Sequence, residues 1–367
     1  MSNVKNKVTV LLVAGILLAV SLWCWLKPAA DFSESERRVL AQMPEFSKET
    51  VENGEFMTDF ETYTLDQFPL RDTFRGVKSF SELYLFGKAQ VNDLYLQDGY
   101  VIKEEYPLSQ PMIDNAAKKF QFLYDKYMAD KEVNVFLSIV PDKNYFGMQE
   151  GVQLGMDYDA LEESLTSQMP YAKYIDIFED LSLEDYYLTD THWKQENLLP
   201  IAQKLAETMG AELETEYTVN TLTEDFEGVY YGQLAMPVKK DTLKYLTNPT
   251  LDACTVTGFN TGMPVVSPMY DVTKADSRDP YEMFVCGNDP LVIIENPNAA
   301  TDKELIVFRD SFGSSIAPLL ATGYSKVTLV DIRYIQSGML GGFLKMKNQD
   351  VLFLYSTLVL NSSTSFK

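Results

Sequence analysis

The chain opens on an apolar run, Val8 to Leu26, that carries no charge and is bounded by Lys7 and Lys27. A helix over that run reaches roughly 28 Å at about 1.5 Å per residue, enough to cross the hydrocarbon core of a bilayer. Ala30 to Lys48 is polar and mixed in charge, a tether. From Asn53 the period turns helical, with Phe56, Phe60, Tyr63 and Phe68 near helical spacing and Pro69 ending the run. A second amphipathic stretch follows to Leu85. Asn92 to Ile102 predicts two short strands around the Asp98-Gly99 turn.

Pro111 to Met128 predicts a helix with Ile113, Phe120, Leu123, Tyr124 and Tyr127 on one side. Val133 to Val140 is unbroken in its apolar character, the pattern of a strand covered on both faces of a parallel sheet. A helix over Tyr158 to Met169, a strand over Ala172 to Phe178 and a helix from about Gln195 to Met209 continue the alternation, with Gly210 as the stop. Between Ala211 and Asp302 it fades into a β-rich insertion, with short strands expected around Gly228 to Tyr231 and over Leu291 to Ile294. It resumes with strand Glu304–Phe308, a helix from Ser314, and strands Lys326–Val330 and Val351–Tyr355. The expected architecture is α/β: an anchor over 1–30, then a three-layer domain over 31–367, with a helical lead-in (31–98) and the insertion (211–302).

Composition narrows the partners. Apolar residues make up 46% of the chain, enough for a large core. The formal net charge of −22 argues against binding nucleic acid or an anionic membrane surface and would repel a polyanionic substrate. Lys5, Lys7 and the amino terminus place the start of the chain in the cytoplasm and everything after Leu26 outside; Trp23 and Trp25 suit the membrane interface. A cleaved signal peptide is the competing reading, although the small-residue cleavage pattern is missing. Cys254 and Cys286 could close a disulfide loop of about 33 residues or remain two buried thiols. No metal-ligand spacing and no cofactor motif is present.

The chain holds one histidine, His192, two positions after Asp190. In an extended segment such residues point the same way, so the carboxylate could fix the imidazole tautomer. Equally, Asp190 could cap the following helix and His192 be an ordinary ring. Ser311 follows the buried strand and precedes a helix, the place for a nucleophile whose oxyanion the Phe312 and Gly313 N–H groups would stabilise. Asp310 and Ser311 also read as plain cap residues. Together Ser311, His192 and Asp190 form a candidate triad. Arg309, Lys143, Tyr145, Trp193 and Asn288 (with Gly287) are candidates for substrate or oxyanion contacts. Asp331 is expected to pair with Arg333.

The stretches Tyr187-Leu188-Thr189-Asp190-Thr191-His192-Trp193 and Phe308-Arg309-Asp310-Ser311-Phe312, continuing to Leu329-Val330-Asp331-Ile332-Arg333-Tyr334, resemble those of the bacterial DHHW family. That family is similar to the SGNH-hydrolase-like domain of alginate O-acetyltransferases. Gln67 to Asp72, Asp98-Gly99, Pro141-Asp142-Lys143 and Tyr231-Gly232 extend the resemblance. It implies a permuted SGNH order, with Asp190 and His192 first and Ser311 later. Thr191 stands where the signature has its first histidine, and Arg309 where the SGNH block has glycine. The resemblance implies acetyl transfer or ester hydrolysis on a cell-envelope polysaccharide or other glycan. A transferase would need a multi-span membrane partner to deliver the acyl donor. A non-catalytic glycan-binding or scaffolding protein on the same fold is the alternative.

Overall fold

The computed structural model describes residues 2–149, 153–260 and 262–367, in two compact units. The first unit comprises 2–92 with Tyr231–Pro237; the second comprises the rest. In the first unit, helix α1 (Ser2–Leu26) contains a span, Val4–Leu26, of mean hydropathy 2.4 and wholly unburied, long and apolar enough to serve as an anchor or signal sequence. Helices α2 (Glu55–Asp66) and α3 (Arg71–Phe80) make the lead-in, broken where Pro69 denies a backbone donor and Leu70 turns left-handed at φ 56°. Asp66 is the polar centre of this unit. It accepts from Arg38 Nη1 at 2.8 Å and Nη2 at 2.5 Å and from the Ala41 N–H at 2.9 Å.

The second unit is built on one sheet. Its strands are β1 (Asn134–Val140), β2 (Lys173–Tyr174), β3 (Thr255–Gly258), β4 (Val265–Ser267), β5 (Leu291–Glu295), β6 (Glu304–Arg309), β7 (Lys326–Val330) and β8 (Asp350–Ser356), in the order β4-β3-β5-β7-β6-β8-β1-β2. From β7 to β2 neighbouring strands run parallel; β5, β3 and β4 extend the other edge antiparallel. Helices α4 (Gln110–Tyr127) and α5 (Tyr158–Gln168) cover one face, α6 (Leu199–Met209) and α7 (Phe312–Ala321) the other. Strand β8 shows the logic. Val351, Phe353 and Tyr355 join the core of Phe120 and Leu161, while Leu352 and Leu354 join that of Ile201 and Ile316. Every side chain of β8 is buried, each apolar one contributing about 1.5–3 kcal/mol.

Several expectations shift. Only Lys173–Tyr174 of the expected strand Ala172–Phe178 pairs, and Phe178–Asp180 is a 3₁₀ turn. The helix expected from Gln195 starts at Leu199, because Pro200 lacks the donor an interior position needs; Gln195–Asn197 is a separate turn. The segment expected as a strand around Gly228 to Tyr231 is a short helix, Val229–Leu234, and α7 begins at Phe312 rather than Ser314. Within 211–302, β3, β4 and β5 extend the main sheet, and Thr218–Phe226 pairs with Asp241–Thr247 as a separate ribbon. The hairpin at Asp98-Gly99 forms as expected, with φ of 50° and 87°. Cys254 and Cys286 are free thiols.

Candidate functional site

Ser311 lies where β6 gives way to α7, at the carboxyl end of the parallel strands, where such sheets place their sites. Asp310 holds that turn. Its Oδ1 accepts the Phe312 N–H at 3.0 Å, and its Oδ2 accepts both the N–H (2.8 Å) and the hydroxyl (2.7 Å) of Ser356, at the end of β8. Gly313 is required by Arg309: a Cβ there would lie 2.6 Å from the Arg309 Cβ.

Segment Tyr186–Trp193 folds into a loop closed by an antiparallel bridge between those two residues. Asp190 and His192 meet by a route other than the extended geometry expected. Asp190 Oδ1 accepts the His192 backbone N–H at 3.1 Å, as in an Asx turn, and faces His192 Nδ1 at 2.6 Å. Asp190 Oδ2 accepts the Val229 N–H at 2.8 Å. That approach depends on Gly228, whose Cβ would stand 2.4 Å from both Asp190 N and Thr189 O. Asp190 therefore does not cap the helix that follows it, Leu199–Met209; the N–H it accepts opens the short helix Val229–Leu234 instead. Its carboxylate is 1% exposed, while the His192 ring keeps 12% of its surface open.

His192 Nε2 lies 2.8 Å from Ser311 Oγ. The structure thus brings hydroxyl, imidazole and carboxylate into one line from segments about 120 residues apart, and the loop is fastened from below. Trp193 Nε1 donates to Phe312 O (3.1 Å) and Ser315 Oγ (2.9 Å), and Gln195 Nε2 donates to Ser315 O (2.7 Å). Asp241 accepts from the N–H groups of Leu188 (2.7 Å) and Thr189 (2.8 Å) and from the Thr189 hydroxyl (2.6 Å). Tyr281 covers the imidazole, its ring stacked at 3.9 Å and 7°, and donates to Ser315 Oγ at 2.8 Å. Nothing in the local sequence around Tyr281 marks it for this place.

The remaining candidates lie elsewhere or do something else. Lys143 is buried, donates to the carbonyls of Tyr187 (3.0 Å) and Leu188 (3.2 Å), and braces the histidine loop rather than a substrate; burial pulls its amine down to about 7. Arg309 is 1% exposed, 3.7 Å from Asp331, and packs against Gly313. Asp331 pairs with Arg333 as expected, at 2.6 Å. Trp193 is fully buried, and Tyr145, half-buried, packs edge-on against Tyr158 and Phe178. Asn288 donates to Glu282 at 2.7 Å. The Phe312 and Gly313 N–H groups are taken by Asp310, at Oδ1 and at its carbonyl (3.1 Å), which removes them as oxyanion donors. Thr191 accepts from the Tyr230 hydroxyl at 3.1 Å.

Beyond Tyr281 the chain lines a polar cleft of about 400 Å³ with Asp271, Lys274, Glu282, Asn288 and Asp289. Its wall touches the strand that leads to Ser311 where Arg309 Nη2 reaches Gly287 O at 3.5 Å.

No protein-family model matches the chain, and no curated protein does. Among solved structures it is similar to a DHHW family protein from Eubacterium siraeum, with TM-score 0.58 and 19% identity over 75% of this chain and 94% of that one. PatB1 of Bacillus cereus, in a structure with a sulfonyl adduct, gives 0.58 and 19% over 74% and 97%. A second PatB1 structure gives 0.55 and 18% over 73% and 96%. At such identities the likeness is one of fold, and it is the fold that the motif stretches imply.

Proposed function

We propose that this chain is a membrane-anchored, extracytoplasmic serine enzyme that transfers or hydrolyses an acetyl ester on a cell-envelope glycan. The observation that carries the reading is the 2.8 Å contact between His192 Nε2 and Ser311 Oγ, with Asp190 behind the imidazole at 2.6 Å. Ser311 Oγ attacks the acyl carbonyl and gives its proton to His192 Nε2; the carbonyl π pair becomes the oxyanion. Collapse of that intermediate expels the donor's alkoxide, which takes the proton back from His192 and leaves an acetyl-serine. A sugar hydroxyl or water, deprotonated by His192, then attacks the acetyl-serine and restores Ser311. Asp190 holds Nδ1–H and stabilises the imidazolium.

With the Phe312 and Gly313 amides engaged, the Ser311 N–H is the donor of this turn that meets no acceptor among the described residues, and we assign it to the oxyanion. The sulfonyl adduct on PatB1 supports the reading, because sulfonylation captures nucleophiles. An acyl donor would come from a multi-span membrane partner.

The test is turnover of an activated acetyl ester by the full chain, with Ser311→Ala alongside. Retained turnover in the variant removes the assignment. An unreactive Ser311 together with measurable glycan binding would favour a scaffold that has kept the fold without the chemistry; the replacement of a signature histidine by Thr191 is the feature that keeps that reading in play.

A further inference from the structure

Helix α3 and the turn that extends it to Leu85 are built inside out. A surface helix ordinarily turns its apolar stripe inward and its charges to water. Here Arg71 and Arg75 point into the first unit, with Arg71 Nη1 2.5 Å from Glu36 Oε2 and Arg75 Nη2 donating to the Gly232 and Gln233 carbonyls at 3.0 and 3.1 Å. Ser79 on the same side is wholly buried. Leu70, Phe74, Val77, Phe80, Tyr84 and Leu85 fall on the opposite side at about 100° per residue, and their exposure runs from 51% at Phe80 to 71% at Leu85. A contiguous apolar row of this kind marks a surface that is covered in use.

What covers it follows from the anchor in the same unit. Gln67 accepts the Ala30 N–H and donates to the Ala30 carbonyl, both at 2.8 Å, fastening the end of the lead-in four residues past Leu26. Cys24 and Trp25 of α1 share an apolar cavity of about 410 Å³ with Phe60, Tyr63 and Phe68. The exposed row therefore begins two residues after a side chain that meets the last turn of the span, at the level of the interfacial tryptophans. With the chain at −22, electrostatic attraction to anionic lipid is not the driver; apolar area is.

We infer that the row from Leu70 to Leu85 lies in the outer interface of the bilayer that the N-terminal helix crosses, holding the lead-in flat against the lipid. This rests on the reading of that helix as a retained anchor. The experiment uses the full chain in pure-lipid nanodiscs, with its cysteines replaced by serine and a nitroxide attached at Val77→Cys, Asp72→Cys or Ile16→Cys. The expected result is an oxygen-to-nickel accessibility ratio at position 77 several-fold above that at position 72, approaching that at 16. A water-like ratio at 77 beside an apolar ratio at 16 overturns the inference and leaves the anchor standing; a water-like ratio at 16 removes both. Protection at 77 in native membranes but not in pure lipid assigns the face to a protein and overturns the lipid assignment. Photolabelling of the unsubstituted chain by a diazirine lipid needs no variant. Adducts within 70–85 are expected, and adducts confined to the span overturn the inference.

Discussion

Tyr281 lies flat on His192, ring centroids 3.9 Å apart and planes within 7°. The stack fixes the imidazole in the plane that points Nε2 at Ser311, and the phenol is tied to Ser315 in the helix that Ser311 begins. Stacked aromatic pairs contribute about 0.5–1.5 kcal/mol beyond burial. Tyr281→Ala should therefore lower kcat on an activated acetyl ester about 3- to 10-fold with a smaller change in KM, whereas Tyr281→Phe, which keeps the stack, should stay near the parent. Equal loss in both variants would point to the hydroxyl instead.

Asp190→Asn keeps the shape of the loop and changes the tautomer that the imidazole presents. Steady-state turnover should fall about 10³- to 10⁴-fold. The thermal midpoint should fall as well, since one amide oxygen can replace only one of the two carboxylate oxygens that accept the His192 and Val229 N–H groups, but activity measured well below that midpoint should still show the full loss. A variant that loses activity only in step with its midpoint would make the contact structural.

Gly228→Ala inserts a methyl group 2.4 Å from Thr189 O and Asp190 N, backbone atoms that cannot step aside. The expectation is a loss of about 1–3 kcal/mol in chemical denaturation together with most of the esterase activity. Gly338→Ala, whose nearest neighbour is 3.7 Å away, is the control and should match the parent in both assays.

Asp66 carries the acid sensitivity of the first unit. Hydrogen bonds from Arg38 hold its carboxyl at about 2, below the usual carboxylate range. Its folded value is depressed, so its contribution is whole above about 4 and is lost as pH falls from there through about 2. Arg38 stays partly in solvent, which limits the effect to about 1–2 kcal/mol. Melting of the full chain between pH 5 and 2 should show a fall that Arg38→Met flattens.

The three residues of the candidate triad were legible because their signals are local: an aspartate two before the sole histidine, and a serine between an apolar strand and a helix. What surrounds them was not. Lys143 and Arg309 look like substrate-facing charges in a linear sequence, yet both are buried, one against the carbonyls of the histidine loop and the other against Gly313. Residue type reports charge; burial is decided by elements far along the chain. The roles of Gly228 and Tyr281 are hidden in the sequence for the same reason, since each is a distance to residues dozens of positions away. The sheet is legible where apolar runs are unbroken, as in β1, β5, β6 and β8, and not at β3 and β4, the short antiparallel strands within 211–302 that complete an edge.

Trp193 and Gln195 are bonded into the helix that Ser311 opens, one and three positions after the imidazole they follow. Ser311 and His192 consequently share a single mechanical mount. Thermal agitation can displace them together relative to solvent, whereas widening the gap between them requires extracting a fully buried, hydrogen-bonded indole. On the proposed function, control over turnover acts on what reaches the mount, through the supply of donor and acceptor, and not on the alignment of the mount itself.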